Sequence, residues 1–182
     1  FTALSYTLAD KGQTYTYTVK EERGNLGGVT YSEDEYEITV TISDNGDGTL
    51  NVEATDGYDA LVFENEYAAT GSVQFKGEKI LSGRDLAAEE FSFTLTGNGV
   101  NETVKNDADG KFQFTALSYT LADKGQTYTY TVKEERGNLG GVTYSEEEYE
   151  ITVTISDNGD GTLLVEATDG YDALVFENEY AA

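Results

Sequence analysis

The sequence predicts an all-β chain of tandem sandwich domains, and three observations carry that reading. Apolar and polar residues alternate at strand period. In YTYTVKEE, Tyr128, Tyr130, Val132 and Glu134 share one face, while Thr129, Thr131, Lys133 and Glu135 share the other. The composition is rich in strand and turn formers, with 14 Tyr, 20 Gly and many Thr and Val. Finally, residues 1–69 recur 113 positions later as residues 114–182, differing only at Asp34/Glu147 and Asn51/Leu164. Near-identity between copies marks a tandem array, and a unit of this length suits domains strung like beads rather than a solenoid.

The unique block Thr70 to Gln113 sets the phase of the repeat. Residues 70–182 make one complete unit. Residues 1–69 are the C-terminal part of a first repeat without its opening strands.

Within the complete unit the elements follow in order. GSVQFKGEKIL places Val73, Phe75, Gly77, Lys79 and Leu81 on one face. GRDLAAEE is compatible with a single helical turn. FSFTLTG points Phe91, Phe93 and Leu95 inward. NETVK and KFQF flank NDADG, which reads as the turn of a hairpin, with Phe112 and Phe114 facing in. LSYTLADKGQ leads into the YTYTVKEE strand, and the glycine-rich ERGNLGG follows it. EYEITVTIS puts Tyr149, Ile151, Val153 and Ile155 inward. DNGDG turns the chain into TLLVEAT, with Leu163, Val165 and Ala167 inward and Leu164 outward. ALVFENEY closes the unit with Leu174, Phe176, Asn178 and Tyr180 inward. Seven to nine short, evenly spaced strands of this kind make a β-sandwich.

Composition excludes several functions. With 35 acidic against 11 basic residues the net charge is −24, which opposes binding to nucleic acid or to an anionic membrane. The absence of Cys and His removes thiolate nucleophiles, imidazole bases and the usual zinc sites. No apolar run is long enough to span a bilayer and no signal peptide opens the chain, so neither membrane insertion nor a cofactor is expected. With no Met at all, the stretch reads as a piece of a longer protein.

Three core-directed faces each carry one polar residue: Lys79 on the first strand, Glu134 on a middle strand and Asn178 on the last. Burial disfavours charged forms, so a trio that meets in the core tends toward a neutral amine beside a neutral acid. A neutral amine is a nucleophile, and a carboxamide polarised by an acid is an electrophile. The product would be a Lys–Asn isopeptide bond with loss of ammonia. The competing reading is that the three groups simply satisfy one another by hydrogen bonds.

The segments GEKILSG, FSFTL, YTYTVKEE, GVTYSEEEYEITV, DNGDGTL and VFENEY resemble the isopeptide-linkage domain of Gram-positive pilin backbone subunits, related to the collagen-adhesin B-type domains. The resemblance covers nearly all of 70–182 and, likewise, the partial copy. It implies an Ig-like, reverse-Ig (collagen-adhesin B-type) sandwich with its first and last strands side by side and parallel. It also implies a cross-link between Lys79 and Asn178 with Glu134 as the proton shuttle. By the same resemblance the protein is a structural stalk or pilin-like repeat on a Gram-positive cell surface or cell wall, not an enzyme with turnover.

Lys76 and Glu135 are the rival amine and acid, and alternation puts both on the opposite face. The first copy has Glu21 and Asn65 but no upstream lysine. Lys79 cannot serve Asn65, because the few residues from Ala68 to Gly71 are too short for a parallel crossover. The expected partners are neighbouring repeats, and residues 1–69 are either an open, incomplete sandwich or one completed by strands from another copy. The alternative function is an adhesin module that grips a host protein or glycan through loops such as ERGNLGG. The DNGDG and NDADG loops lack the full spacing of an EF-hand and read as turns, not metal sites.

Overall fold

Alternation at period two becomes strands almost wherever it occurs. A computed structural model describes residues 1–182, which divide into two units, Phe1–Tyr67 and Ala68–Ala182. The second unit begins two residues earlier than the repeat phase suggests. Ala69 is buried, and the Thr70 N–H donates to the Gly161 carbonyl at 3.2 Å.

In the first unit, β1 (Thr14–Lys20), β3 (Glu35–Asp44) and β4 (Leu50–Ala54) form an antiparallel sheet in the order β1-β3-β4. The short strands β2 (Val29–Thr30) and β5 (Glu66–Tyr67) pair with each other.

The second unit has eleven strand segments, more than the seven to nine that turn spacing suggests, because breaks in the pairing split strands and add short ones. They are β6 (Thr70–Val73), β7 (Lys76–Ser82), β8 (Ser92–Gly97), β9 (Val100–Lys105), β10 (Lys111–Gln113), β11 (Leu117–Thr120), β12 (Thr127–Glu135), β13 (Val142–Thr143), β14 (Glu148–Asp157), β15 (Leu163–Ala167) and β16 (Leu174–Tyr180). One sheet runs β15-β14-β12-β8-β9 and is antiparallel throughout. The other runs β10-β7-β16-β13, and its central pair, β7 and β16, is parallel. A two-stranded ribbon of β6 and β11 completes the unit.

The two main sheets face each other across an aromatic core. Phe93 of β8 stacks on Phe112 of β10 with ring centroids 3.9 Å apart. Phe176 of β16 meets Phe93 at 5.3 Å and Tyr149 of β14 at 5.2 Å. The Tyr149 hydroxyl crosses to donate to the Val175 carbonyl at 2.7 Å. Gly77 is required where β7 passes under this cluster, since a methyl there would run into the Phe112 ring and the Leu174 carbonyl. The chain is an all-β sandwich.

Two local expectations are corrected. GRDLAAEE forms no helical turn; residues 83–84 bend and 88–89 turn, with Glu89 at φ +59°. Long-range bonds take the backbone groups a helix would use. The Glu89 N–H donates to the Asn106 carbonyl, the Asn106 side chain donates to Ala87, and Arg84 pairs with Glu90. NDADG is a tight turn, closed by the Asp107 N–H to the Lys111 carbonyl at 2.8 Å, but its flanks are not a hairpin. β9 pairs with β8 and β10 pairs with β7, so the turn carries the chain from one sheet to the other. The hairpin lies earlier, at β8–β9. Asn98 and Gly99 both have positive φ (48° and 80°), as a two-residue loop of the Asn-Gly type demands.

Candidate cross-linking site

Three strands bring the site together. β7 and β16 run parallel with Phe176 opposite Lys79 and Asn178 opposite Leu81. Period-two alternation then turns Lys79, Phe176 and Asn178 toward the facing sheet. From that sheet β12, hydrogen-bonded with Glu134 opposite Phe93, presents Glu134.

The Lys79 ammonium donates to Glu134 Oε2 at 3.1 Å, and both side chains are wholly enclosed. The Asn178 Nδ2 donates to the other oxygen, Oε1, at 2.8 Å. Asn178 Oδ1 accepts the Ser145 backbone N–H at 2.6 Å. The amide is thus oriented at both ends, because only its oxygen can accept from an N–H. The Phe91 ring lies 4.7 Å from Lys79 Nζ and closes the pocket. Burial pushes the Lys79 amine below its ordinary value, and attraction to Glu134 opposes that shift only in part. The neutral, nucleophilic amine is correspondingly easier to reach.

This geometry can move a proton in one direction. One carboxyl oxygen faces the amine and the other faces the amide nitrogen that would leave. The Ser145 N–H sits where negative charge would develop on the amide oxygen during attack, as in an oxyanion hole. Its signal is absent from residue type, since any backbone N–H would serve; at sequence level Ser145 is merely the start of the acidic SEEEYE run.

The rivals fall outside. Lys76 is exposed. Glu135 lies on the outer face, accepting from the Thr94 hydroxyl at 2.8 Å and lying 3.7 Å from Lys133. Of the DNGDG carboxylates, Asp160 accepts from Thr162 N–H within its own loop, while Asp157 accepts from Gly159 N–H and pairs with Lys124 at 3.0 Å.

The first unit repeats the acid and amide without the amine. Asn65 Nδ2 donates to Glu21 Oε1 at 2.7 Å, and the Ser32 N–H donates to Asn65 Oδ1 at 2.7 Å. Glu21 Oε2, the counterpart of the oxygen that holds Lys79, accepts the same Ser32 N–H at 3.2 Å.

Residues 1–68 and 75–181 match the family described as FctA, the Spy0128-like isopeptide containing domain. The chain belongs to that family. The second match begins just before β7 and so spans Lys79, Glu134 and Asn178, while the first spans Glu21 and Asn65. No curated protein sequence matches the chain. Among solved structures it is similar to the major pilin protein of Streptococcus pyogenes at 22% identity and a TM-score of 0.28, over 94% of this chain and 69% of that one.

Proposed function

We propose that the chain is a structural segment of an extracellular fibre or stalk on a Gram-positive cell surface. Its second unit is locked by a self-formed bond between Lys79 and Asn178. The observation that supports this most directly is the single carboxyl group of Glu134, hydrogen-bonded through one oxygen to the amine and through the other to the amide.

The atoms balance without an external reagent. Lys79 Nζ, as the neutral amine, attacks Asn178 Cγ while the Ser145 N–H stabilises the amide oxygen. The Nζ–Cγ bond forms, Glu134 passes the proton lost by Nζ to Nδ2, the Cγ–Nδ2 bond breaks, and ammonia leaves. Glu134 ends unchanged, but the amine and amide are consumed, so the reaction occurs once and the chain is not an enzyme in the turnover sense.

The bond would join neighbouring parallel strands near the two ends of the unit, closing a ring of about a hundred residues. By analogy with a disulfide closing a loop of that length, the ring stabilises the unit by about 4–5 kcal/mol. Force applied between the strands is then borne by a covalent link instead of by the β7–β16 hydrogen bonds, which suits a repeat held between similar repeats. No helix is long and apolar enough to cross a membrane.

Intact mass under denaturing conditions, for the parent chain beside Glu134→Ala, tests the proposal. A deficit of one ammonia in the parent that is absent from the variant is expected. Full mass in both would leave the three groups as a hydrogen-bonded trio only.

A further inference from the structure

We infer that Tyr144 is a positioning residue for the cross-linking reaction. The glycine-rich loop 136–141 holds its side chain, and Tyr144 in turn aims the Ser145 N–H at the Asn178 amide oxygen. This rests on the reading of Lys79, Glu134 and Asn178 given above.

A backbone donor has no rotamers of its own, so it points correctly only where the chain that carries it is fixed. β13 brings that chain alongside β16, with Val142 opposite Tyr180 and Thr143 opposite Glu179. Two residues past Thr143 the ladder has ended, and the Ser145 N–H donates to the Asn178 side chain at 2.6 Å. Between them stands Tyr144, held at both ends. Its hydroxyl accepts the Leu139 N–H at 3.0 Å. Its ring meets the Phe91 ring edge-on, with centroids 5.9 Å apart. Phe91 is also the ring that lies 4.7 Å from Lys79 Nζ. One side chain thus joins the loop, the wall of the amine pocket and the donor to the amide.

The loop is shaped around that hydroxyl. A methyl on Gly137 would run into it. The Val142 N–H donates to the Leu139 carbonyl at 3.3 Å, and the Ala181 N–H donates to the Gly141 carbonyl at 2.9 Å, which ties the loop to the end of the last strand. The first copy repeats the arrangement. The Leu26 N–H donates to the Tyr31 hydroxyl at 3.2 Å, the Ser32 N–H donates to Asn65 Oδ1 at 2.7 Å, and Gly24 stands against Tyr31. Loop, tyrosine and donor therefore form one unit of the repeat.

Tyr144 takes no part in the bonds that change: Nζ–Cγ forms, Cγ–Nδ2 breaks, and Glu134 carries the proton to the departing ammonia. It acts through the Ser145 N–H, whose bond to the amide oxygen strengthens as negative charge gathers there. A small displacement of such a donor is felt in the rate and not in the acidity of the amine.

The test takes the full chain, held unreacted in denaturant, dilutes it into buffers of rising pH and follows ammonia loss by intact mass. In the parent the rate should climb to a plateau as Lys79 loses its proton. Tyr144→Phe keeps the ring and removes the hydroxyl. Its plateau should be about tenfold lower, with the pH midpoint unmoved. Gly137→Ala displaces the same hydroxyl from the loop side and should slow the reaction similarly. Added to Tyr144→Phe it should cost little more, because the atom it strikes is gone. A plateau in Tyr144→Phe equal to the parent's overturns this inference and leaves the proposed function standing. So does a midpoint that rises toward that of a free lysine at an unchanged plateau, which would make Tyr144 a seal over the pocket instead of a guide for the donor. A parent that loses no ammonia at any pH overturns the proposed function, and this inference with it.

Discussion

Val132 and Val19 occupy the same position of the same strand sequence, yet Val132 has no solvent exposure and Val19 is partly open. The pattern extends across the sheet. Ile151 is buried where Ile38 is not, and the Asn178 amide is enclosed where that of Asn65 meets solvent. The positions where β3 is already covered by its own unit, Val40 and Ile42, are buried in both copies, as Val153 and Ile155 show. Identical sequence thus gives an identical local sheet, and the covering block decides how much of it becomes core. Burial, in turn, is what makes an ordinary lysine into a candidate nucleophile.

The largest test of that comparison removes the acid. On the proposed function, Glu134→Ala should prevent ring closure and forfeit about 4–5 kcal/mol. It also leaves Lys79 in the core without its carboxylate, and breaking a buried pair in this way costs about 3–5 kcal/mol. The two losses share a partner and will not simply add. Denaturant unfolding should show the second unit destabilised by several kcal/mol, with the first unit's transition unmoved. Lys79→Met keeps the covering block while removing the amine. It leaves Glu134 enclosed without its cation, so its cost should likewise exceed the ring term alone, but the Val132 amide should still exchange slowly with deuterium. Fast exchange at Val132 would show that the bond, and not the block, buries the face.

A steric change in the block comes next. Gly77→Ala pushes a methyl against the Phe112 ring and the Leu174 carbonyl, an overpacking expected to cost about 1–3 kcal/mol. Because Gly77 lies two residues before Lys79 on β7, the shift should also slow ammonia loss after refolding, read by mass against time.

The alternation that identifies Lys79, Glu134 and Asn178 works because all three lie on regular strands facing the core, where period two has one meaning. The same logic rejects Lys76 and Glu135, which lie outside. What was not legible is irregular. Asn106 is buried, accepting the Phe91 N–H through its side chain and donating to Ala87 and Asp107, so it supports the turn next to the lysine pocket. In the sequence it is just the first residue of NDADG, since satisfying a bent backbone leaves no periodic trace. The Ser145 donor is invisible for a similar reason, being a backbone group. The misplaced hairpin arose because turn chemistry says that the chain reverses, not which sheet receives it.

The Lys79 amine gives a pH test. Its value in the folded state lies below that of a free lysine because burial disfavours the ammonium. Between the folded and the ordinary value, the unfolded chain therefore binds more protons than the folded one. Stability of a chain that cannot cross-link, such as Asn178→Ala, should accordingly rise with pH through that window and be flat below it. In the parent, ammonia loss should accelerate as pH approaches the window from below, because more of the amine is neutral. Urea midpoints and mass time courses at several pH values check both; a midpoint falling through the window would reverse the assigned direction.

The smallest expected effect bears on the comparison most directly. The copies differ at two positions, and neither faces the core: Asp34 and Glu147 are exposed, and Leu164 lies on the outer face of β15 where Asn51 bonds its neighbour Glu53 at 3.1 Å. If burial in the second unit comes from the block alone, Leu164→Asn should change stability by no more than about 0.5 kcal/mol, as surface substitutions usually do. Exchange rates at Val132 and Val153 should not move either. A larger loss would mean that the outer face of β15 contributes to the second unit's core through a contact the first unit lacks, and that the missing block is not the whole difference between two nearly identical sequences.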